Sequence, residues 1–214
     1  MQIFDTQTRT QIGEILNDMI QPITLVLFTK DNCYSCAETS QLLKEITEIK
    51  PIISLKEYDI EKNPEIAAQY DVTLTPSFVI LDKDNQYKGV KFNGIPAGHE
   101  INSFISALIE MSGNEIAYKP EILNRIKRLD KPINIKVFVT LSCPHCPGAV
   151  QTAHRLAMLN TNIQSEMIEA QTFYDLSDKF KVSGVPKIII NDKYELVGNQ
   201  PIEAFLDTIE KNLR

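Results

Sequence analysis

The chain of 214 residues has no tryptophan, only four cysteines and three histidines, and no long apolar run. Each absence excludes something. No stretch approaches the roughly 18 uninterrupted apolar residues of a membrane-spanning helix, so no transmembrane segment is expected. The first 21 residues carry neither the basic start nor the apolar core of a signal peptide. Lys and Arg number 22 against 28 Asp and Glu, a net charge of −6, and the basic residues form no cluster. That balance argues against nucleic acid or an anionic membrane as partner. Low-complexity tracts are absent too, and the length suits two domains of about 100 residues each. A cytoplasmic location is expected, where reducing conditions make paired cysteines catalytic or metal-binding rather than structural.

All four cysteines fall into two Cys-x-x-Cys pairs, Cys33-Tyr34-Ser35-Cys36 and Cys143-Pro144-His145-Cys146, set 110 residues apart. A proline follows each pair at the same interval of 43 residues: Pro76 after Cys33 and Pro186 after Cys143. Shifting the chain by 110 residues also superposes Pro22-Ile23 on Pro132-Ile133, Phe28 on Phe138, Tyr70 on Phe180 and Val72 on Val182, without a gap. Beyond residue 80 the offset falls to 101, matching Phe104-Ile105 to Phe205-Leu206, so the second copy has lost nine residues, expected from its last hairpin. A repeat this long is a duplicated domain. The boundary is placed in the Ser-Gly-Asn region, dividing the chain into 1–116 and 117–214.

Each copy reads in the same order. A helical stripe (8–20; around 122–129) ends at a proline, and a short apolar run follows (23–28; 133–139), as expected of a buried strand. The cysteines come next, then a second helical pattern, a strand (52–58; 163–168) and a short helix (64–70; 172–180). After Pro76 and Pro186 come strands 77–81 and 187–190, hairpin strands near 86–92 and 194–197, and closing helices (100–111; 201–213). This order predicts an α/β fold of two tandem units, each a central mixed sheet flanked by helices.

The layout of strand, Cys-x-x-Cys, helix and a later proline before a strand resembles thioredoxin-like proteins, and Asp59-Ile60-Glu61-Lys62-Asn63-Pro64 resembles their middle stretch. Two such units in one chain resemble the glutaredoxin-like protein disulfide oxidoreductases of thermophiles. The supporting segments are Gly94-Ile95-Pro96-Ala97-Gly98-His99-Glu100, residues 137–147 and Gly184-Val185-Pro186-Lys187-Ile188. End to end, the chain is also similar to the N-terminal module of the flavoprotein that reduces alkyl hydroperoxide peroxiredoxin. That module keeps a working pair only in its second unit, so Cys33 and Cys36 favour the first family. Leu27 and Val137 stand where thioredoxins carry an acidic residue. The glutathione-binding Gly-Gly-x-Asp turn of glutaredoxins has no counterpart.

The resemblance implies that Pro76 and Pro186 are cis. The backbone of Thr75 and Val185 would then face the cysteines and pair with an extended substrate segment as an added strand. It also implies a thioredoxin-reductase-type flavoprotein as electron donor and protein disulfides, such as a peroxiredoxin's, as clients. No bound cofactor is expected; the redox centres are the disulfides Cys33–Cys36 and Cys143–Cys146. A relay between the two pairs is left open. An isomerase or oxidase that forms disulfides is the alternative enzyme, and a redox-inactive adaptor or metal-binding scaffold the non-enzymatic one. Zinc is disfavoured because each pair joins a strand to a helix in a separate unit, and no metal is assigned. A structural disulfide is disfavoured because a separation of three closes almost no loop.

Roles follow from position: Cys33 and Cys143 attack a disulfide, and Cys36 and Cys146 resolve the mixed disulfide. Asn32 and Ser142, good capping residues, are expected at the helix N-caps, which would put the attacking cysteines in the first turn, where the helix dipole favours a thiolate. His99 and His154 are read as structural or surface residues, and Lys30 as solvated. Glu100 is expected to cap the closing helix, with a proton-acceptor role as a lesser reading. Pro147 is expected to kink the active-site helix.

His145 beside Cys143 favours the thiolate, and stabilising the reduced form makes a disulfide more oxidising. Tyr34-Ser35 adds no charge. Cys33–Cys36 is therefore expected to have the lower potential. Redox titration of two variants, each keeping one pair, would show the reverse order if the dipeptides do not set the potentials.

Overall fold

The computed structural model describes residues 2–212. The first unit runs α1 (Thr6–Ile15), β1 (Ile23–Thr29), α2 (Cys36–Ile49), β2 (Ile53–Asp59), α3 (Pro64–Ala68), β3 (Ser77–Leu81), β4 (Tyr87–Asn93) and α4 (Ile101–Met111). The second repeats it as α5 (Pro120–Lys127), β5 (Ile133–Val139), α6 (Cys146–Leu159), β6 (Ile163–Glu169), α7 (Tyr174–Lys179), β7 (Lys187–Ile190), β8 (Tyr194–Val197) and α8 (Ile202–Asn212). The missing residues are not one deletion: the last hairpin's loop, its two strands and the turn into the closing helix are all shorter in the second unit.

The two sheets are one. All eight strands are joined in the order β2-β1-β3-β4-β6-β5-β7-β8, and the join is the parallel pairing of β4 with β6, Val90 opposite Ser165 through Asn93 opposite Ile168. Sequence patterning carries no signal for this junction, because an edge strand and a paired strand alternate alike. Gly89 permits it. At φ +76° it takes a backbone conformation that suits glycine, and a Cβ there would meet the Ile163 carbonyl oxygen.

Period-two alternation divides the strands between two faces. Leu25 and Leu27 point to a main core that runs unbroken through both units, while Val26 and Phe28 point to a smaller cluster under α3. Phe138, Ile168 and Ile189 form the equivalent cluster with side chains of the 173–182 segment. In the main core Phe78, Phe92 and Phe104 pack ring on ring with centroids 5.0–5.7 Å apart.

Side chains of both units meet at the seam. Arg155 of α6 forms a bidentate pair with Glu110 of α4 at 2.7–3.1 Å. His154, 1% exposed, lies 4.7 Å from the Phe92 ring, and its Nδ1 is 2.8 Å from Ser165 Oγ. It is structural, as the sequence reading had it. Burial drives its pKa down to about 3, so the ring is neutral in the fold. The stability held by the neutral ring is complete above an unfolded pKa near 6.5 and is lost as pH falls towards 3. From pH 7 to pH 5, urea denaturation should therefore find the wild type losing about 2 kcal/mol relative to His154→Gln. A difference that stays constant with pH would show that His154 accepts a proton without cost.

Candidate active sites at one edge of the sheet

Both cysteine pairs follow strands that run in the same direction. β1 and β5 point the same way through the chain of pairings β1–β3–β4–β6–β5. The two sites therefore open on one edge of the sheet. Each pair is closed as a disulfide, with Cα–Cα distances of 5.4 Å and 5.5 Å. The outer cysteine is the more accessible in each: Cys33 is half-buried against 6% exposure for Cys36, and Cys143 is 8% exposed against 0% for Cys146.

Both Thr75–Pro76 and Val185–Pro186 are cis peptides, as the resemblance implied. Strand pairing of Phe28 with Ser77 and of Phe138 with Lys187 sets each proline beside the end of the strand that leads to the cysteines. The carbonyls of Pro76 and Pro186 each accept one backbone N–H, from Gly94 at 2.9 Å and Gly198 at 2.8 Å. In the second site the Val185 carbonyl oxygen lies 3.9 Å from Cys143 Sγ.

The helix starts differ from the expected ones. Asn32 and Ser142 cap nothing: α2 and α6 begin at Cys36 and Cys146, with Ser35 and His145 in the capping positions. A tight turn comes first. Asn32 bends the chain at φ 56°, and the Cys143 N–H closes a turn onto the Thr140 carbonyl at 3.1 Å. The inner cysteine, rather than the outer, therefore occupies the first helical turn, and the outer sulfur reaches the helix end through its bond to that residue. Pro147 does not kink α6. It stands in the first turn, where a missing N–H leaves no intrahelical bond unmade. Next to it, Gly148 leaves room for the Asn199 side chain, a contact without a sequence signal.

β1 and β5 stand four strand positions apart in the sheet. At about 4.8 Å per strand the two sites lie roughly 19 Å apart. The four cysteines cannot ligate one tetrahedral ion, whose metal–sulfur bonds are about 2.3 Å long. Nor can the pairs exchange directly while the sheet is intact. Among the described residues, no group of three or more His, Cys, Asp or Glu is placed to hold a metal ion.

The dipeptides are exposed: Tyr34 is 87% accessible, and Pro144 and His145 face solvent, as does Lys30. The second site also has a neighbour from the first unit. The turn Gly98–Glu100 packs on the residue before Ser142-Cys143, with the His99 N–H donating to the Leu141 carbonyl at 2.9 Å. A Cβ on Gly98 would collide with that carbonyl. The His99 side chain is exposed. Glu100 is fully buried; its Oε2 accepts a short hydrogen bond from Ser103 Oγ, and its Oε1 has no hydrogen-bond partner. It makes no capping bond to the backbone of α4. Burial raises its pKa to about 7, against the Ser103 hydrogen bond. Asp59 and Glu169 instead brace local turns: Asp59 accepts the N–H groups of Glu61 and Lys62, and Glu169 those of Gln171 and Thr172.

Residues 24–95 match the Glutaredoxin-like domain family, and residues 133–211 match the Thioredoxin domain family. The alkyl hydroperoxide reductase AhpF of Staphylococcus aureus is 31% identical over 80% of this chain, and its Pseudomonas putida counterpart is 28% identical over 98%. The chain spans about a third of the length of these curated relatives, 31% and 38%. Two solved structures superpose nearly end to end. A variant of the Enterococcus faecalis AhpF does so at TM-score 0.91 and 28% identity, covering 96% of this chain and 99% of that one. The protein disulfide oxidoreductase of Aeropyrum pernix does so at 0.87 and 29%, covering 96% and 93%.

Glu100 offers a stability test of the second site's surroundings. Its raised pKa makes the neutral form's stability complete below an unfolded value of 4.5 and lost as pH rises through about 7. The ionised form costs about 3 kcal/mol above that. Glu100→Gln should therefore raise the urea midpoint at pH 8 and gain nothing comparable at pH 4.5. An equal effect at both pH values would mean that Glu100 ionises in the fold without cost, as it does in the unfolded chain.

Proposed function

We propose that this thiol–disulfide oxidoreductase of two thioredoxin-fold units draws electrons from a thioredoxin-reductase-type flavoprotein and delivers them to protein disulfides, a peroxiredoxin's among them. One observation carries the reading: each disulfide follows a strand whose end lies beside a cis-proline, and in the second site the Val185 carbonyl oxygen is 3.9 Å from Cys143 Sγ. The name of the relatives, alkyl hydroperoxide reductase, supports a client linked to peroxide reduction. A cytoplasmic setting fits a chemistry that runs from the dithiol state. The two units are taken as 1–116 and 117–214.

Reduced Cys143 attacks a client disulfide as the thiolate; the client's S–S bond breaks, and one client sulfur leaves as a thiolate that takes a proton. Cys146 then attacks Cys143, forming the internal disulfide and releasing the second client thiol. Two electrons and two protons have passed to the client, and the flavoprotein's dithiol restores the pair. Cys33 and Cys36 perform the same steps at the first site. Thr75 with Pro76, and Val185 with Pro186, hold the client strand. His145 tunes Cys143. Glu100, a buried carboxylate with a pKa of about 7 in the turn that packs on Leu141, is suited to accept a proton at the second site.

Because sulfurs must meet to exchange, a relay between the sites runs through a shared client or a second molecule. In an assay of NADPH, flavoprotein and a disulfide client, Cys143→Ser should lower turnover several-fold, leaving the share that the first site carries. Cys33→Ser with Cys36→Ser should lower it partially. Turnover unchanged by Cys143→Ser would support a redox-inactive adaptor. Disulfide formation without flavoprotein-driven reduction would support the isomerase or oxidase.

A further inference from the structure

The loop that carries the first site's cis-proline is held at both ends by strand β4. At its start, Lys91 Nζ donates to the Asp71 carbonyl at 2.6 Å. At its end, Ser77 Oγ donates to Asn93 Oδ1 at 2.6 Å. Lys91 and Asn93 are two apart on β4, so both point to one face. Each is 1% exposed.

Both are anchored by one carboxylate of the other unit. Glu166 of β6 stands opposite Lys91 in the junction register. Its Oε2 accepts from Asn93 Nδ2 at 3.1 Å and lies 3.9 Å from Lys91 Nζ. Its Oε1 accepts from Asn134 Nδ2 at 2.7 Å and lies 3.8 Å from Lys136 Nζ, which fixes the carboxylate to β5. A second contact reaches the same loop from β6, Gln164 Nε2 to Asp71 Oδ2 at 3.2 Å.

The second site builds its loop anchor alone. Lys181 is the repeat equivalent of Asp71, and both sit at φ 51°. There the ammonium comes from Lys187, which donates to the Phe180 and Lys181 carbonyls at 2.8 and 3.2 Å and pairs with Glu195 at 3.2 Å, all within one unit. Ser77 occupies the place of Lys187 in the first unit, so the lysine there has moved to β4 and its counter-charge to the neighbouring unit.

We infer that Glu166 is a positioning residue for the first site, through which the second unit sets the cis-proline loop that Cys33 and a client strand must share. A buried ammonium whose carboxylate is removed is strongly destabilised, so Lys91 withdraws from the Asp71 carbonyl. Asn93 loses its acceptor at the same time. The loop is then free at both ends, whereas the cysteine turn, which makes no bond to Glu166, keeps its chemistry.

The inference rests on the proposed pairing of clients with the Thr75–Pro76 backbone, and two readouts keep them separable. Both use the full chain carrying Cys143→Ser and Cys146→Ser, so that only the first site turns over. Amide hydrogen exchange over residues 71–78 should speed by about tenfold or more in Glu166→Ala, with a smaller gain in Glu166→Gln, which retains an acceptor for Asn93. Glu195→Gln should leave that segment unchanged. The KM for an extended peptide disulfide should rise by about tenfold in Glu166→Ala, while the rate with a small aromatic disulfide, dithiobis-nitrobenzoate, stays the same. Exchange unchanged in both Glu166 variants overturns the inference. Exchange that speeds without a change in peptide KM supports the positioning and removes the backbone-pairing reading instead. A fall in peptide and small-disulfide rates together overturns it as well, because Glu166 would then hold the whole site rather than the loop.

Discussion

The pairing of β4 with β6 is the contact on which the rest of the molecule depends. Two units joined by a linker would leave β4 and β6 as edges, each with a row of unpaired backbone groups. Joined, they make one eight-stranded sheet, and the apolar face of each unit runs into the other's. Gly89 permits the approach, Phe92 and His154 fill the seam above it, and the Lys91–Glu166 register closes it below. The orientation follows from the same pairing. Because β4 and β6 are parallel, β1 and β5 point the same way, and both disulfides open on one edge.

That geometry gives each unit a part in the other's site. The first unit packs the turn Gly98–Glu100 on Leu141, two residues before Cys143. The second unit sends Glu166 to the strand that braces the first cis-proline loop. Exchange between the pairs is blocked for the same reason that the sites are well built: a rigid sheet holds the sulfurs on strands four positions apart.

The chemistry was legible in the sequence because it is local. Cys-x-x-Cys between an apolar strand and a helical stripe needs no distant residue to be read, and a repeat at constant offset doubles each signal. Strand limits such as 77–81, 133–139 and 187–190 came out as read, since an apolar run bounded by turn residues marks its own ends. The helix starts at the cysteines did not. A capping residue and a turn residue look alike in sequence, and Asn32 at positive φ served as the turn. Pro147 failed for a related reason, because a proline's effect depends on its distance from the helix start. The structural reading of His154 held, whereas Glu100 does not cap its helix and is instead buried, since burial is a property of the surroundings.

Composition and spacing alone determined the duplication, the fold class, the four cysteines and the two prolines, because each rests on residues close in the chain or repeated at a fixed offset. Tertiary structure decided everything that needs residues far apart to meet: the single sheet, the shared edge, the separation of the sites and the contacts of Gly98–His99 and Glu166 across the seam. Strand edges carry no sequence mark of their partner. Only folding brings Lys91 opposite Glu166, and with it one unit's charge under the other's active-site loop.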